Sequence, residues 1–148
     1  MTKAIPDFDL KQFLPYLLNQ ASEAASLEFS RVYKDRYGLL RTDWRVLFHL
    51  GIYQTMTAQQ IGASASIHKT KVSRAVQRLE ERRYLKRERD TGDRRRENLS
   101  LTTAGQRVYA DLRAVARDYD ARLTQTLSDD EIQLLRRVLT KLAQTAGV

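Results

Sequence analysis

Residues 57–102 constrain this chain more tightly than any other stretch. The run TAQQIGASASIHKTKVSRAVQRLEE holds two short helical patterns separated by small residues. Thr57 and Gln60 have the spacing of a capping box, with Ile61 as the inward anchor behind them. Residues 62–66, GASAS, are expected to make the turn, being small enough for two helices to cross closely. The second helix is expected over about residues 68–83. Val72, Ala75, Val76 and Leu79 recur at helical spacing as its inner face, whereas Lys69, Lys71, Arg74 and Arg78 fall opposite, with Thr70 and Ser73 near its start. Residues 84–89 and 97–101 then read as two strands of a hairpin. Its tip, residues 90–96, is expected to turn on the permissive backbone of Gly92. Arg94, Arg95 and Arg96 stand side by side at that tip, where they cannot all pack inward.

Charge gathers on the same stretch. The 148-residue chain has 26 Lys+Arg against 18 Asp+Glu, a net +8. Residues 68–96 alone hold twelve basic and five acidic side chains, so nearly all of the excess sits there. A local cationic patch is the electrostatic footprint of a polyanion partner. A short cationic helix followed by a basic hairpin is the outline of a winged helix-turn-helix on duplex DNA. A helix with one apolar and one cationic face also suits a membrane surface or a protein partner. This one is short and embedded between other elements, which favours a DNA groove.

The flanks are helical. Residues 1–9 are expected to be a frayed lead, broken by Pro6, with Asp7 or Asp9 capping the first helix. An apolar stripe then runs over about residues 10–36, with Pro15 in its first turn, to a break at Gly38. Thr42 is expected to cap the next helix, whose inner face is Trp44, Val46, Leu47 and Leu50. After the hairpin, Thr102 or Thr103 caps a helix to about Gln125, and Ser128 with Glu131 marks another. The first and last of these stripes have no adequate body of their own to cover them, which points to an intertwined homodimer; the alternative is a monomer whose terminal helices fold back.

The expected class is therefore mainly α with a small β-wing: one unit over residues 1–148, with a DNA-binding lobe at 39–102 and a helical dimerisation lobe from 8–37 with 104–146. No cysteine is present, so disulfides and thiolate metal sites are excluded. No apolar run resembles a signal peptide or a membrane span, and a cytoplasmic location without membrane contact is expected. His49 and His68 are the only imidazoles, and neither stands in a pattern with a nucleophile. No catalytic residue, metal or cofactor is expected.

Asp90-x-x-Asp93-Arg94-Arg95, followed by Leu101-Thr102-x-x-Gly105, resembles the wing and following helix start of the MarR family of transcriptional regulators. Residues 69–74, KTKVSR, with Arg78-Leu79-Glu80, resemble the recognition helix of that family, and residues 39–50 its approach to the DNA-binding lobe. The resemblance implies homodimers that bind pseudo-palindromic sites, with each recognition helix in a major groove and each wing at a flanking minor groove. It also implies that Asp93 orients the wing arginine and that Arg95 inserts. Where this chain has Arg83 the family usually has glycine, which suggests a differently ended helix. The cysteine of the family's peroxide sensors is absent.

The function expected is sequence-specific transcriptional regulation, most often repression from an inverted-repeat operator. A low-specificity DNA-architectural protein is the alternative. Lys69, Thr70, Lys71, Ser73, Arg74, Arg78, Asp93, Arg94, Arg95 and Arg96 are the expected DNA-binding residues. A small aromatic acid or phenol is the expected effector. Tyr33, Tyr37, Arg41, Trp44, Arg45 and His49 are its expected pocket, because they flank the Gly38 break between the first two helices.

Overall fold

The computed structural model describes residues 7–146. A 3-10 turn at Leu10–Gln12, capped by the Asp9 carboxylate on the Lys11 amide, leads into α1 (Leu14–Tyr37). The remaining helices are α2 (Arg41–Tyr53), α3 (Ala58–Ala65), α4 (Lys69–Glu81), α5 (Thr103–Leu123) and α6 (Asp129–Ala146). Between α4 and α5 lie strands β1 (Leu85–Arg89) and β2 (Glu97–Leu101), antiparallel with Leu85 opposite Leu101. Met56 adds an isolated bridge to β2 by exchanging both backbone hydrogen bonds with Leu99. None of the described helices is long and apolar enough to cross a membrane.

The core forms where the inner faces meet. Val46, Leu47 and Leu50 of α2, Ile61 of α3, and Val72, Ala75, Val76 and Leu79 of α4 pack with Leu85, Leu99 and Leu101 of the wing and Val108 and Leu112 of α5. Phe29 and Tyr33 bring in the C-terminal half of α1. Burying these faces takes apolar surface from water at about 25 cal/mol per Å², and it fixes α4 against α2. Glycine is required where α5 starts, because a Cβ on Gly105 would fall on the Tyr84 carbonyl oxygen. That accounts for the spacing of Thr102 and Gly105. Thr102 Oγ1 accepts from the Gly105 amide at 3.1 Å and donates to the Arg83 carbonyl at 2.6 Å.

Several local expectations are corrected. Thr42 does not cap α2. Leu40 precedes the helix in extended backbone, and the Asp43 carboxylate accepts from the Leu40 amide at 2.9 Å. Gly62 lies within α3, which continues to Ala65. The turn instead passes through Ser66, left-handed at φ 55, and Ile67 to His68, whose Nδ1 accepts from the Thr70 amide and caps α4. Gly92 is not in the left-handed region. The wing tip turns instead on the carboxylates of Asp90 and Asp93. Arg83 does not end α4 differently. It takes the left-handed position itself, at φ 62, with Arg83 N bonded to Glu80 O and Tyr84 N to Leu79 O. Those two bonds are a Schellman ending, held here without the glycine that suits it.

Candidate nucleic-acid interface and pocket

Lys69, Thr70, Lys71, Ser73 and Arg74 all lie on the exposed face of α4, because Val72, Ala75, Val76 and Leu79 claim the other face for the core. The cap at His68 satisfies the Thr70 amide and leaves the first turn of α4 pointing into solvent. In the wing, the Asp90 carboxylate accepts from Gly92 N and the Asp93 carboxylate from Arg95 N, each at 3.0 Å. Arg96 N closes back on Asp93 O and Asp90 N on Arg96 O. Asp93 thus shapes the backbone that presents Arg95, not the guanidinium itself. Arg94, Arg95 and Arg96 are exposed and in none of the ion pairs among the described residues.

Helix and wing are joined by Arg87. Its guanidinium reaches Glu80 on α4 and Glu97 on β2, both at 3.1 Å. The result is a groove of about 730 Å³ whose walls include Lys69 and Ser73 on one side and Arg95 and Arg96 on the other. Thr57, with Gln60, supplies its floor at the start of α3, where the capping box forms with bonds of 2.9 and 3.2 Å. Cations from two separate elements therefore face one concavity, a geometry that accepts a phosphate backbone beside a groove-filling helix.

Arg78 is the exception among the expected DNA-binding residues. Its Nε and Nη2 clasp the Asp43 carboxylate at 2.8–3.1 Å, and Nη2 also donates to Thr42 Oγ1 at 3.2 Å. Asp43 is wholly buried. The Arg78 charge is engaged inward, because a buried carboxylate left without its partner is costly. Arg78, expected at the DNA surface, is thus engaged inward as a support for α4, with its side chain still 32% exposed.

A second cavity, of about 390 Å³, opens between α1, α2 and α5. Tyr33, Arg41, Trp44 and Arg45 line it, as expected. Two of the expected pocket residues do not. Tyr37 sends its hydroxyl to the Asp111 carboxylate, which Arg36 also holds at 3.0 Å, and so pins α1 to α5. Burial, then the bond to Asp111, pushes the Tyr37 phenol up to about 12. His49 places Nδ1 2.7 Å from the Arg45 carbonyl and faces Tyr53. Phe29, Ala116, Tyr119 and Asp120 are lining residues that the sequence reading did not include. Trp44 meets Phe29 edge-on at 5.2 Å and Phe48 at 5.2 Å, so the cavity has an aromatic wall.

The charges in the cavity are unequal. Asp120 is paired with Arg136 of α6 at 2.6 Å. Among the described residues, Arg41 donates only to Ser22 Oγ at 3.2 Å, and Arg45 only to the Ala65 carbonyl at 2.6 Å. Burial, reinforced by Arg41, lowers the pKa of Arg45. Burial raises that of Tyr33. An aromatic wall beside two guanidiniums with neutral partners has the chemistry to take an aryl anion.

Residues 37–96 match the sequence profile of the MarR family. Over 128 residues the chain is 28% identical to the HTH-type transcriptional regulator FarR of Neisseria gonorrhoeae, covering 86% of this chain and 86% of that one. Among solved structures, a MarR-family transcriptional regulator from Silicibacter pomeroyi is 26% identical, with a TM-score of 0.76 over 96% of both chains. The PcaV regulator of Streptomyces coelicolor, solved in complex with its natural ligand, shares the fold at 21% identity, with a TM-score of 0.83 over 96% of this chain and 99% of its own.

Proposed function

We propose that this chain, whose residues 37–96 match the MarR family and which is 28% identical to a curated HTH-type transcriptional regulator, is a DNA-binding transcriptional regulator of that family and a ligand-released repressor. It acts as a homodimer on an inverted-repeat operator and lets go when a small aromatic acid or phenol fills the cavity between α1, α2 and α5. The observation that carries the DNA reading is the single groove onto which Lys69 and Ser73 of α4 and Arg95 and Arg96 of the wing all open. In this reading α4 enters a major groove, and Arg95, presented by Asp93, reaches the neighbouring minor groove. Residues 39–102 are the DNA-binding lobe, and residues 8–37 with 104–146 are the dimerisation lobe.

The dimer is supported by what one protomer leaves uncovered. Leu134, Leu135, Val138 and Leu139 of α6 are 40–50% exposed, and Phe13, Leu14 and Leu17 near the start of α1 are 41–58% exposed. Helices with that much open apolar surface gain their stability from a partner. A twofold dimer carries two recognition helices and so calls for an inverted repeat. For the effector, the support is the aromatic wall with Arg41 and Arg45 facing neutral acceptors.

A thermal-shift screen of aromatic acids and phenols, followed by titration of each hit against protein bound to its operator, tests the reading. The expected result is a hit that raises the melting temperature and weakens operator binding, as an effector must if it prefers the DNA-incompetent arrangement. Hits that stabilise the protein yet leave operator affinity unchanged would make it a constitutive DNA binder.

A further inference from the structure

Arg45 stands where the cavity meets the helix-turn-helix. It lines the cavity beside Trp44, and its Nη2 donates to the Ala65 carbonyl at 2.6 Å. Ala65 is the last residue of α3. Ser66 follows in the left-handed region, and His68, two positions further on, caps α4. One guanidinium therefore touches both the ligand space and the joint between the two helices that face DNA.

That joint has use for a cation. The last carbonyls of a helix lack partners within it and carry the negative end of its dipole. Gly62 O accepts from the Ser66 and Ile67 amides, while the Ala65 carbonyl is left to Arg45. Ser66 adds strain, since an L-residue is disfavoured in the left-handed conformation it holds. The neutral carbonyl is a weaker partner for a guanidinium than a carboxylate is. Arg45 is partly desolvated beside a second cation, so its charge is poorly compensated where it stands. An anion in the cavity and the end of α3 are thus alternative partners for the same group.

Resting on the ligand-released reading, we infer that Arg45 is the residue through which the cavity acts on the recognition helix. The carboxylate of an aromatic acid draws its guanidinium off the Ala65 carbonyl, which uncaps α3 and frees the joint to α4. The effector then has the differential affinity that a population shift requires, because it makes its ion pair fully only when the joint has been released. Arg45 is a positioning residue and touches no DNA.

Trp44 is the only tryptophan in the chain, so its fluorescence reports cavity occupancy by benzoate, with benzamide as the uncharged counterpart. Operator affinity is measured at saturating benzoate for the wild type and for Arg45→Met. In the wild type, benzoate should lower operator affinity about five- to 150-fold, the usual span of coupling between sites, and benzamide should not. Arg45→Met should start near the lowered affinity without benzoate and fall no further with it. A variant that binds operator like the wild type and is released as fully overturns the inference while leaving the ligand-released reading intact. A wild type indifferent to saturating benzoate also overturns it, and the wider screen then decides the ligand-released reading separately. If Arg45→Met loses its thermal transition, hydrogen exchange on the wild type decides: benzoate should speed exchange at the Ser66 and Ile67 amides, and unchanged protection there overturns the inference.

Discussion

Arg78 and Asp43, 35 positions apart in sequence, form the one ion pair among the described residues in which a partner is wholly buried. Asp43 also accepts from the Leu40 amide, so a single carboxylate starts α2 and holds the last turn of α4. Arg78→Ala strands the carboxylate and should cost about 3 kcal/mol of stability, in line with broken buried pairs. Chemical denaturation checks the value. Replacing Asp43 and Arg78 together by alanine should cost less than the sum of the two single changes. A full-stability Arg78→Ala with a shallower salt dependence of DNA binding would return Arg78 to the DNA surface.

Arg83 offers the opposite test. Its left-handed backbone carries about 1–2 kcal/mol of strain, and glycine removes that at an entropic cost of about 0.5–1 kcal/mol. Arg83→Gly should therefore stabilise the protein by up to about 1.5 kcal/mol, seen as a melting temperature raised by a few degrees. A drop in melting temperature would mean that the Arg83 side chain contributes more than its backbone costs.

Much of this was legible in the sequence, and the failures have physical causes. The capping box at Thr57 and Gln60, the pairing of the two wing strands and the pair Ser128–Glu131 formed as expected, because each depends on neighbours close in the chain. The inward pairing of Arg78 was not legible, because helical periodicity sorts residues by face and is blind to a buried carboxylate arriving from another helix. Tyr37 and His49 sit near the Gly38 break in sequence, but helix phase turns them from the cavity, toward Asp111 and Tyr53 respectively. Tyr119 and Asp120 were missed because α5 returns to α1 only after the whole helix-turn-helix and wing, a separation over which local pattern says nothing. The aromatic stripe of α1 and α5 was the one available signal.

The wing separates geometry from bulk charge. Asp93→Ala removes a negative charge from a DNA-facing surface, which by electrostatics alone should tighten binding. It also removes the acceptor that holds the Arg95 amide at 3.0 Å. The expected outcome is weaker operator binding, by about fivefold for one lost hydrogen bond of roughly 1 kcal/mol. Arg95→Ala should weaken it further at unchanged melting temperature. If Arg95 contacts one phosphate, the log–log salt slope should become shallower by about 0.9. Tighter binding by Asp93→Ala would reduce that residue to a turn former.

Dimerisation is open to a direct test. Val138→Asp places a charge on the exposed apolar face of α6, where it has little packing to disturb within one protomer. Sedimentation at micromolar concentration should give a dimer for the wild type and a smaller species for the variant, with operator affinity lost in parallel. A wild type that sediments as a monomer would contradict the dimer.

The central claim, that α4 and the wing read sequence in duplex DNA, is tested most directly by selecting bound fragments from sheared DNA of the source genome. The best fragment is then footprinted and challenged with random-sequence competitor at about 150 mM salt. The expected result is an inverted repeat with half-sites about one helical turn apart, bound about 10³-fold or more above random DNA. A preference near unity with no repeated half-site would contradict it and identify a low-specificity architectural protein instead.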